Sequence, residues 1–264
     1  MVDLHHHLLP GLDDGSPDLA TSIQMARMAE ADGITHIVCT PHANSRYYFN
    51  PQINLSLLAD LRRALDDHGI RVTLGLGCDF HISYDNVQDA LAHPAKYTIN
   101  GYDYLLVELP DFSISPNLKE TFYELRLAGL IPILTHPERN PTLQCDPDRM
   151  IPWLRDGLLC QVTAASVTGG MGRQAEKLAR RMLANRWIHF VATDAHNTTG
   201  RPPYMRKAYE LIAKRYGSEY ANNICTHNPL RAFEGNLLLE HEMLGLDSDD
   251  EVKLPSWWQR LLRM

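Results

Sequence analysis

Proline and glycine punctuate this chain in a repeating order, and between them the apolar pattern switches from helical to extended. Ser16-Pro17 opens a helical pattern with Leu19, Ile23 and Ala26 on one face, which stops at Gly33; Ile34-Thr35-His36-Ile37-Val38-Cys39 then reads as a strand. Leu57, Leu58, Leu61 and Leu65 run to Gly69 ahead of Arg71-Val72-Thr73-Leu74. Ser115-Pro116 opens another unit, with Leu118, Phe122 and Leu125 inward, closed by Gly129 before Leu130-Ile131-Pro132-Ile133-Leu134-Thr135. Pro147, bracketed by Asp146 and Asp148, starts one more, which ends at Gly157 before Leu158-Leu159-Cys160-Gln161-Val162. Ser or Asp caps a helix start, proline suits the first helical position because its missing N–H has no partner there, and glycine closes the helix.

Strands are therefore predicted at about residues 2–5, 35–39, 71–76, 103–107, 131–135, 158–163 and 188–192, with helices between most of them. Repeated strand–helix alternation implies a parallel sheet and an α/β fold. Seven such strands favour a barrel, with an open doubly wound sheet as the alternative. The sequence has no Gly-x-Gly-x-x-Gly or Gly-x-x-x-x-Gly-Lys loop to mark a nucleotide site.

The chain has 264 residues, 44 % of them apolar, enough for one large core. Residues 1–244 are expected to form a single barrel domain. Residues 245–253 read as a polar linker and the remainder to 264, with Trp257-Trp258, as a short aromatic tail. No run approaches the roughly 18 apolar residues of a membrane span. The opening Met1-Val2-Asp3-Leu4-His5 lacks a signal peptide's pattern, so a cytoplasmic protein is expected. Cys39, Cys78, Cys145, Cys160 and Cys225 are widely spaced and odd in number, which does not suggest a disulfide framework. A net charge of −7 makes nucleic acid a poor partner.

The chemistry stands at the predicted strand ends. His5, His7 and Asp14 follow the first strand, His42 the second, Asp79 the third, Glu108 the fourth, His136 the fifth, and Asp194 and His196 the last. In a barrel of parallel strands these carboxyl ends converge on one mouth. Alternate residues of an extended chain project to the same side, so His5-x-His7 grips one cation while His6 faces away, and Asp194-x-His196 repeats the spacing. Imidazole with carboxylate suits zinc, manganese or iron, and nine ligands imply two or three ions, with Glu108 a natural bridge. Taken singly, His-x-His is weak and Asp13-Asp14-Gly15 is an ordinary turn. His6, His36, His68, His81, His93, His189, His227 and His241 read as structural.

His5-x-His7 with Asp14-Gly15, Thr40-Pro41-His42, Gly77-Cys78-Asp79, Glu108, Thr135-His136-Pro137-Glu138-Arg139 and Thr193-Asp194-x-His196-Asn197 together resemble the polymerase-and-histidinol-phosphatase (PHP) family. The resemblance runs from residue 1 to about 235. His136-x-Glu138-Arg139, Asp194-Ala195-His196-Asn197 and Gly200-Arg201-Pro202-Pro203 are most similar to the bacterial manganese-dependent tyrosine phosphatases of capsule and exopolysaccharide synthesis. That resemblance implies a distorted seven-stranded (β/α) TIM-like barrel with three metal ions. It implies His5, His7, Asp14, His42, Asp79, Glu108, His136, Asp194 and His196 as metal ligands, and Arg139 and Arg201 as the phosphate-holding pair. Asp79 departs from the pattern, standing where these phosphatases usually have glutamate.

The reaction expected is hydrolysis of a phosphate monoester by a metal-bound hydroxide, with manganese foremost and iron, zinc or magnesium as alternatives. The resemblance further implies phosphotyrosine protein as substrate, such as the tail of a polysaccharide-synthesis tyrosine kinase. Rival readings are a phosphatase of a small metabolite such as histidinol phosphate, a phosphodiesterase or exonuclease of the same fold, and a non-catalytic regulatory module. A covalent cysteine route is rejected: it needs Cys-x5-Arg, whereas six residues separate Cys39 from Arg46 and Cys145 lies too close to Arg149.

Overall fold

The computed structural model describes residues 1–110 and 113–239. Its strands are β1 Val2–His6, β2 His36–Cys39, β3 His42–Ala43, β4 Thr73–Leu76, β5 Asp79–His81, β6 Tyr104–Glu108, β7 Ile131–Thr135, β8 Leu159–Thr163 and β9 Phe190–Ala192. All pairings are parallel, in the orders β1-β2-β4 and β3-β5-β6-β7-β8-β9. The two sheets are one ring interrupted twice. β2 resumes as β3 after Thr40-Pro41, and β4 resumes as β5 after Gly77-Cys78. The ring closes beyond β9, where the Asp194 N–H donates to the His5 carbonyl (2.8 Å) and the His7 N–H to the Ala195 carbonyl (2.9 Å). The seven predicted strands are thus present, two of them broken, in a distorted barrel. Proline at 41 has no N–H for the ladder, which accounts for the break in one of them.

The barrel interior is filled from below. Val2, Leu4, Val38, Tyr104, Leu106, Ile131, Ile133, Leu159 and Phe190 form an apolar floor, joined by Ala232 and Leu238 of the C-terminal segment. Tyr104 anchors that segment by donating to the Asn236 carbonyl and accepting from the Leu238 N–H. Each fully buried side chain of this size contributes about 1.5–3 kcal/mol. Above the floor the same strands turn polar, so the site rests on a dry, close-packed base.

Helices α1 Leu19–Ala31, α2 Pro51–Asp67, α3 Tyr84–Ala92 and α4 Leu118–Leu127 are among those that cover the outside. α2 buries Leu58, Leu61 and Leu65, and α4 buries Leu118, Phe122 and Leu125, as their spacing predicts. α1 departs from expectation. Its cap is Asp18, whose carboxylate accepts from the Thr21 N–H, and Ser16-Pro17 lies outside the helix. The buried face is Ser22, Met25, Ala26 and Ala29, while Leu19 is exposed. The start at Pro147 gives only a short 3-10 turn before the five-residue helix Ile151–Arg155. No helix among the described residues is long and apolar enough to cross a membrane. Residues 245–264, expected as linker and tail, and His241 lie outside the described residues.

Candidate metal centre

Strand register sets the ligands side by side. His42 is the register partner of Asp79, and His81 that of Glu108. The β1–β2 register shifts between Asp3 and His6, where the chain passes from Leu4 in the floor to His5 and His7 in the mouth. Asp3 ties this crossing to the far side of the ring, its carboxylate accepting from both the N–H (2.9 Å) and the hydroxyl of Thr193. Burial raises the Asp3 pKa to about 6 against those hydrogen bonds. His136 and Asp194 both have positive φ, 33° and 53°. Non-glycine residues held in that region concentrate at functional sites, where surrounding structure enforces the conformation.

All nine predicted ligands converge on this mouth. Four overlapping groups bring ligand atoms within 4.8 Å of one another: His7, Asp14, His42 and His196; His5, Asp79 and His136; His5, His7 and Asp194; and His42, Asp79 and Glu108. His5, His7, Asp79 and Asp194 are buried, whereas the Asp14 side chain is about half exposed at the rim.

The donor chemistry fits cations. His5 Nδ1 faces the Gln161 side-chain oxygen at 3.1 Å and His7 Nδ1 faces the Asp13 carboxylate at 2.8 Å. Each of these nitrogens therefore carries a proton, which leaves the two Nε2 atoms, 3.3 Å apart, as the ones turned to the mouth. Two donors about 2.1 Å from one ion stand roughly 3.0–3.4 Å apart in octahedral or tetrahedral arrangement. His196 Nδ1 donates to the Asp194 carbonyl at 2.9 Å, and its buried Nε2 has no hydrogen-bond partner. Neither Asp79 oxygen is hydrogen-bonded, although Oδ2 lies 3.4 Å from His5 Nε2 and 3.1 Å from His42 Nδ1. Buried polar atoms are almost always paired, so such a concentration of orphans points to an ion.

Charge is sharply partitioned here. Burial opposes ionisation of Asp79, but His5 and His42 outweigh it and hold the carboxyl well below its ordinary range. Asp194 is lowered likewise against burial by His5, His7, Arg201 and Arg139. Burial and the neighbouring Asp79 raise Glu108. Burial and Arg139 lower His136, while burial and His7 bring His196 down to about 2, keeping both imidazoles neutral and able to ligate. His7 goes the other way: burial disfavours its charge, but Asp13 overrides this and raises its pKa to about 10.

Arg139 and Arg201 both reach the mouth, and both donate to Asp194 Oδ2. Arg139 is set by the short turn Pro137–Arg139, which the buried Glu138 pins to the end of β8 by accepting from the Thr163 N–H (3.0 Å). Arg201 is set by Asn197, whose side-chain oxygen accepts from the Thr199 and Arg201 N–H groups.

Several residues escaped the sequence reading. Asp13, part of an apparently ordinary turn, is hydrogen-bonded to His7. Gln161 orients His5. His81, read as structural, lies with Nδ1 3.7 Å from Glu108 Oε2. Asp79-x-His81 has the same alternate spacing as His5-x-His7, and that signal was available. His6 is buried with neither ring nitrogen hydrogen-bonded, and burial lowers its pKa to about 3. Cys39, Cys78, Cys160 and Cys225 are buried free thiols, and burial raises the pKa of each.

The chain resembles known proteins over most of its length. It is 36 % identical over 220 residues to the tyrosine-protein phosphatase YwqE of Bacillus subtilis, covering 83 % of this chain and 86 % of that one. It is 32 % identical over 210 residues to the putative tyrosine-protein phosphatase CapC of Staphylococcus aureus, covering 79 % and 82 %. A crystal structure from work on YwqE and on CpsB of Streptococcus pneumoniae, described as metal-dependent tyrosine phosphatases, superposes with a TM-score of 0.86. That match has 32 % identity and covers 90 % of this chain and 96 % of the other. An organophosphorus hydrolase mutant from Deinococcus radiodurans shares the fold alone, at 13 % identity and a TM-score of 0.56 over 88 % of this chain and 92 % of that one. The family model for capsular polysaccharide synthesis CpsB/CapC proteins matches residues 1–234, and the chain belongs to that family.

Proposed function

We propose that this protein is a metal-dependent protein tyrosine phosphatase that hydrolyses phosphotyrosine and acts in capsule or exopolysaccharide synthesis. One observation carries the reading: four overlapping groups of histidines and carboxylates, each with the donors to hold a cation, and two guanidiniums meet in a single barrel mouth. The ligands are His5, His7, Asp14, His42, Asp79, Glu108, His136, Asp194 and His196. They hold two or three divalent ions, manganese foremost. The names and the family of the relatives support the substrate class, and the tail of a polysaccharide-synthesis tyrosine kinase is the partner proposed.

A phosphate monoester is dianionic and repels an attacking hydroxide. Bound divalent cations would offset that charge and lower the pKa of water toward about 7. The protein's own residues do the rest. Arg139 and Arg201 offer charge-assisted, fork-shaped hydrogen bonds to the phosphoryl oxygens, which carry the spreading charge of the transition state. Asp194 holds both guanidiniums beside the ligand cluster, so the phosphate is presented to it in a fixed orientation. The apolar floor excludes water from below and strengthens these interactions.

The test is release of phosphate by chelator-stripped protein with Mn²⁺ added back, on a phosphotyrosine peptide, a phosphoserine peptide and histidinol phosphate. Mn²⁺-restored activity that prefers phosphotyrosine is expected. A preference for histidinol phosphate would move the protein to metabolism, and no metal-dependent release from any of them would refute the reading.

A further inference from the structure

Three ligand imidazoles have a partner on the nitrogen that faces away from the mouth, and the partners differ. His5 has the amide oxygen of Gln161 and His196 has the backbone carbonyl of Asp194. His7 alone among them has a carboxylate, Asp13, at 2.8 Å. A carboxylate on the outer nitrogen fixes the tautomer and makes the inner nitrogen a stronger donor than an amide or carbonyl does.

Asp13 does more than hold one ring. Its Oδ2 also accepts the His42 N–H at 3.0 Å, and its Oδ1 accepts the Gly15 N–H at 2.9 Å. One buried side chain therefore joins the end of β1, the turn that carries Asp14, and the start of β3. The turn is pressed onto His7: a Cβ at Gly15 would stand 2.4 Å from both the Cβ and the carbonyl oxygen of His7. The Ser16 N–H donates to that same carbonyl at 3.0 Å. His7, Asp14 and His42, each tied to Asp13 or its turn, belong to one ligand group with His196.

We propose that Asp13 is the positioning carboxylate of the centre: it assigns His7 Nε2 to the cations and locks Asp14 and His42 in place around them. The inference rests on the reading of the mouth as a cation site. It makes no use of Asp13 as a ligand, since its oxygens are already taken by three N–H donors.

The substitution Asp13→Asn tests it. Asparagine has one acceptor oxygen where aspartate has two in use, so either orientation turns an NH2 against at least one of the three donors. The full chain is stripped, Mn²⁺ is titrated by calorimetry, metal content is measured after desalting, and turnover is followed at rising Mn²⁺. Asp13→Asn is expected to weaken at least one Mn²⁺ site roughly 10–100-fold. It is expected to lose metal on desalting and to regain kcat in excess Mn²⁺ with the substrate KM unchanged. Asp18→Asn, at a helix cap nearby, should match wild type throughout. Wild-type Mn²⁺ affinity and content in Asp13→Asn would overturn the proposal, as would a loss of turnover that excess Mn²⁺ does not restore. If Asp13→Asn does not fold, Asp13→Glu is read by the same criteria. A wild-type protein that takes up no Mn²⁺ would overturn the cation reading itself, and this proposal with it.

Discussion

Arg139 and Arg201 donate to one and the same oxygen, Oδ2 of Asp194, from two different loops. The other oxygen, Oδ1, lies 3.4 Å from Nε2 of both His5 and His7. Asp194 thus divides the mouth, with imidazoles on one side of its carboxylate and guanidiniums on the other. It is buried, yet these neighbours hold its carboxyl well below the ordinary range. On the proposed reading, this arrangement would place the cations and the phosphoryl oxygens within one carboxylate of each other.

The two arginines should act on the substrate and not on the metal. Arg139→Lys and Arg201→Lys keep the charge but lose the planar fork. Each is expected to lower kcat/KM on a phosphotyrosine peptide by roughly 10–100-fold, a loss of one charge-assisted hydrogen bond's worth of stabilisation. Bound metal, counted by mass spectrometry, should stay at the wild-type level. Loss of metal in either variant would show that the guanidinium serves the ligand set instead.

Asp79 belongs to two of the four ligand groups, and neither of its oxygens is hydrogen-bonded. Removing its charge should therefore reach more than one ion. Asp79→Asn is expected to lose at least one bound ion and nearly all activity. A variant with full metal content and near-normal turnover would contradict the reading of Asp79 as a shared ligand.

Cys39 offers the opposite control. It is fully buried in the core, and burial pushes its thiol pKa far above the neutral range. The thiolate is the nucleophilic form, so this residue has none to give. Cys39→Ser should keep most of its activity while losing about 1–3 kcal/mol of stability, because a hydroxyl replaces a thiol in an apolar site. Abolished turnover in a folded Cys39→Ser protein would revive a covalent route.

Legibility followed the physics of each element. Glycine and proline mark helix ends through backbone sterics alone, so the strand–helix order and the seven strands could be read from the chain. The carboxyl-end rule for barrels then placed nine side chains in one mouth. The interrupted strands at Thr40-Pro41 and Gly77-Cys78 were hidden, because only pairing with neighbours shows that each break is spanned. α1 misled because two cap-competent residues, Ser16 and Asp18, flank one proline, and hydrogen bonding chose the later one. Asp13 and Gln161 were invisible for a deeper reason. A residue that acts by holding another's ring has no spacing signature, since its partner is chosen by the tertiary fold.

That choice of cap gives a separate test of the scaffold. Asp18 accepts from the Thr21 N–H at 2.8 Å and satisfies one of the orphan donors at the start of α1. Asp18→Ala should cost about 1 kcal/mol in denaturant unfolding. Specific activity per folded molecule should not change, since α1 packs on the outside of the barrel. An unchanged unfolding midpoint would mean that Ser16 or water replaces the cap without loss.

Metal uptake should be coupled to protons through His7. Its pKa in the metal-free fold is about 10, raised above the ordinary 6.5 because Asp13 outweighs the penalty of burial. A raised base binds its proton more tightly folded than unfolded. The stability this gives the metal-free protein is complete below about pH 6.5 and is lost as pH rises toward 10, at up to about 1.4 kcal/mol per unit in that window. Ligation requires the same nitrogen's lone pair, so an ion must displace that proton at neutral pH. His5, raised as well by Asp79 and Asp194 against burial, acts in the same direction. Mn²⁺ affinity should therefore climb with pH from 7 upward, by roughly tenfold per unit for each proton displaced. The gap in Tm between loaded and stripped protein should widen over the same range. Calorimetry in buffers of different ionisation enthalpy measures the release directly. A Mn²⁺ affinity independent of pH between 7 and 9 would mean that His7 is already neutral in the stripped protein, with its single proton on Nδ1 facing Asp13 and none on Nε2 to displace.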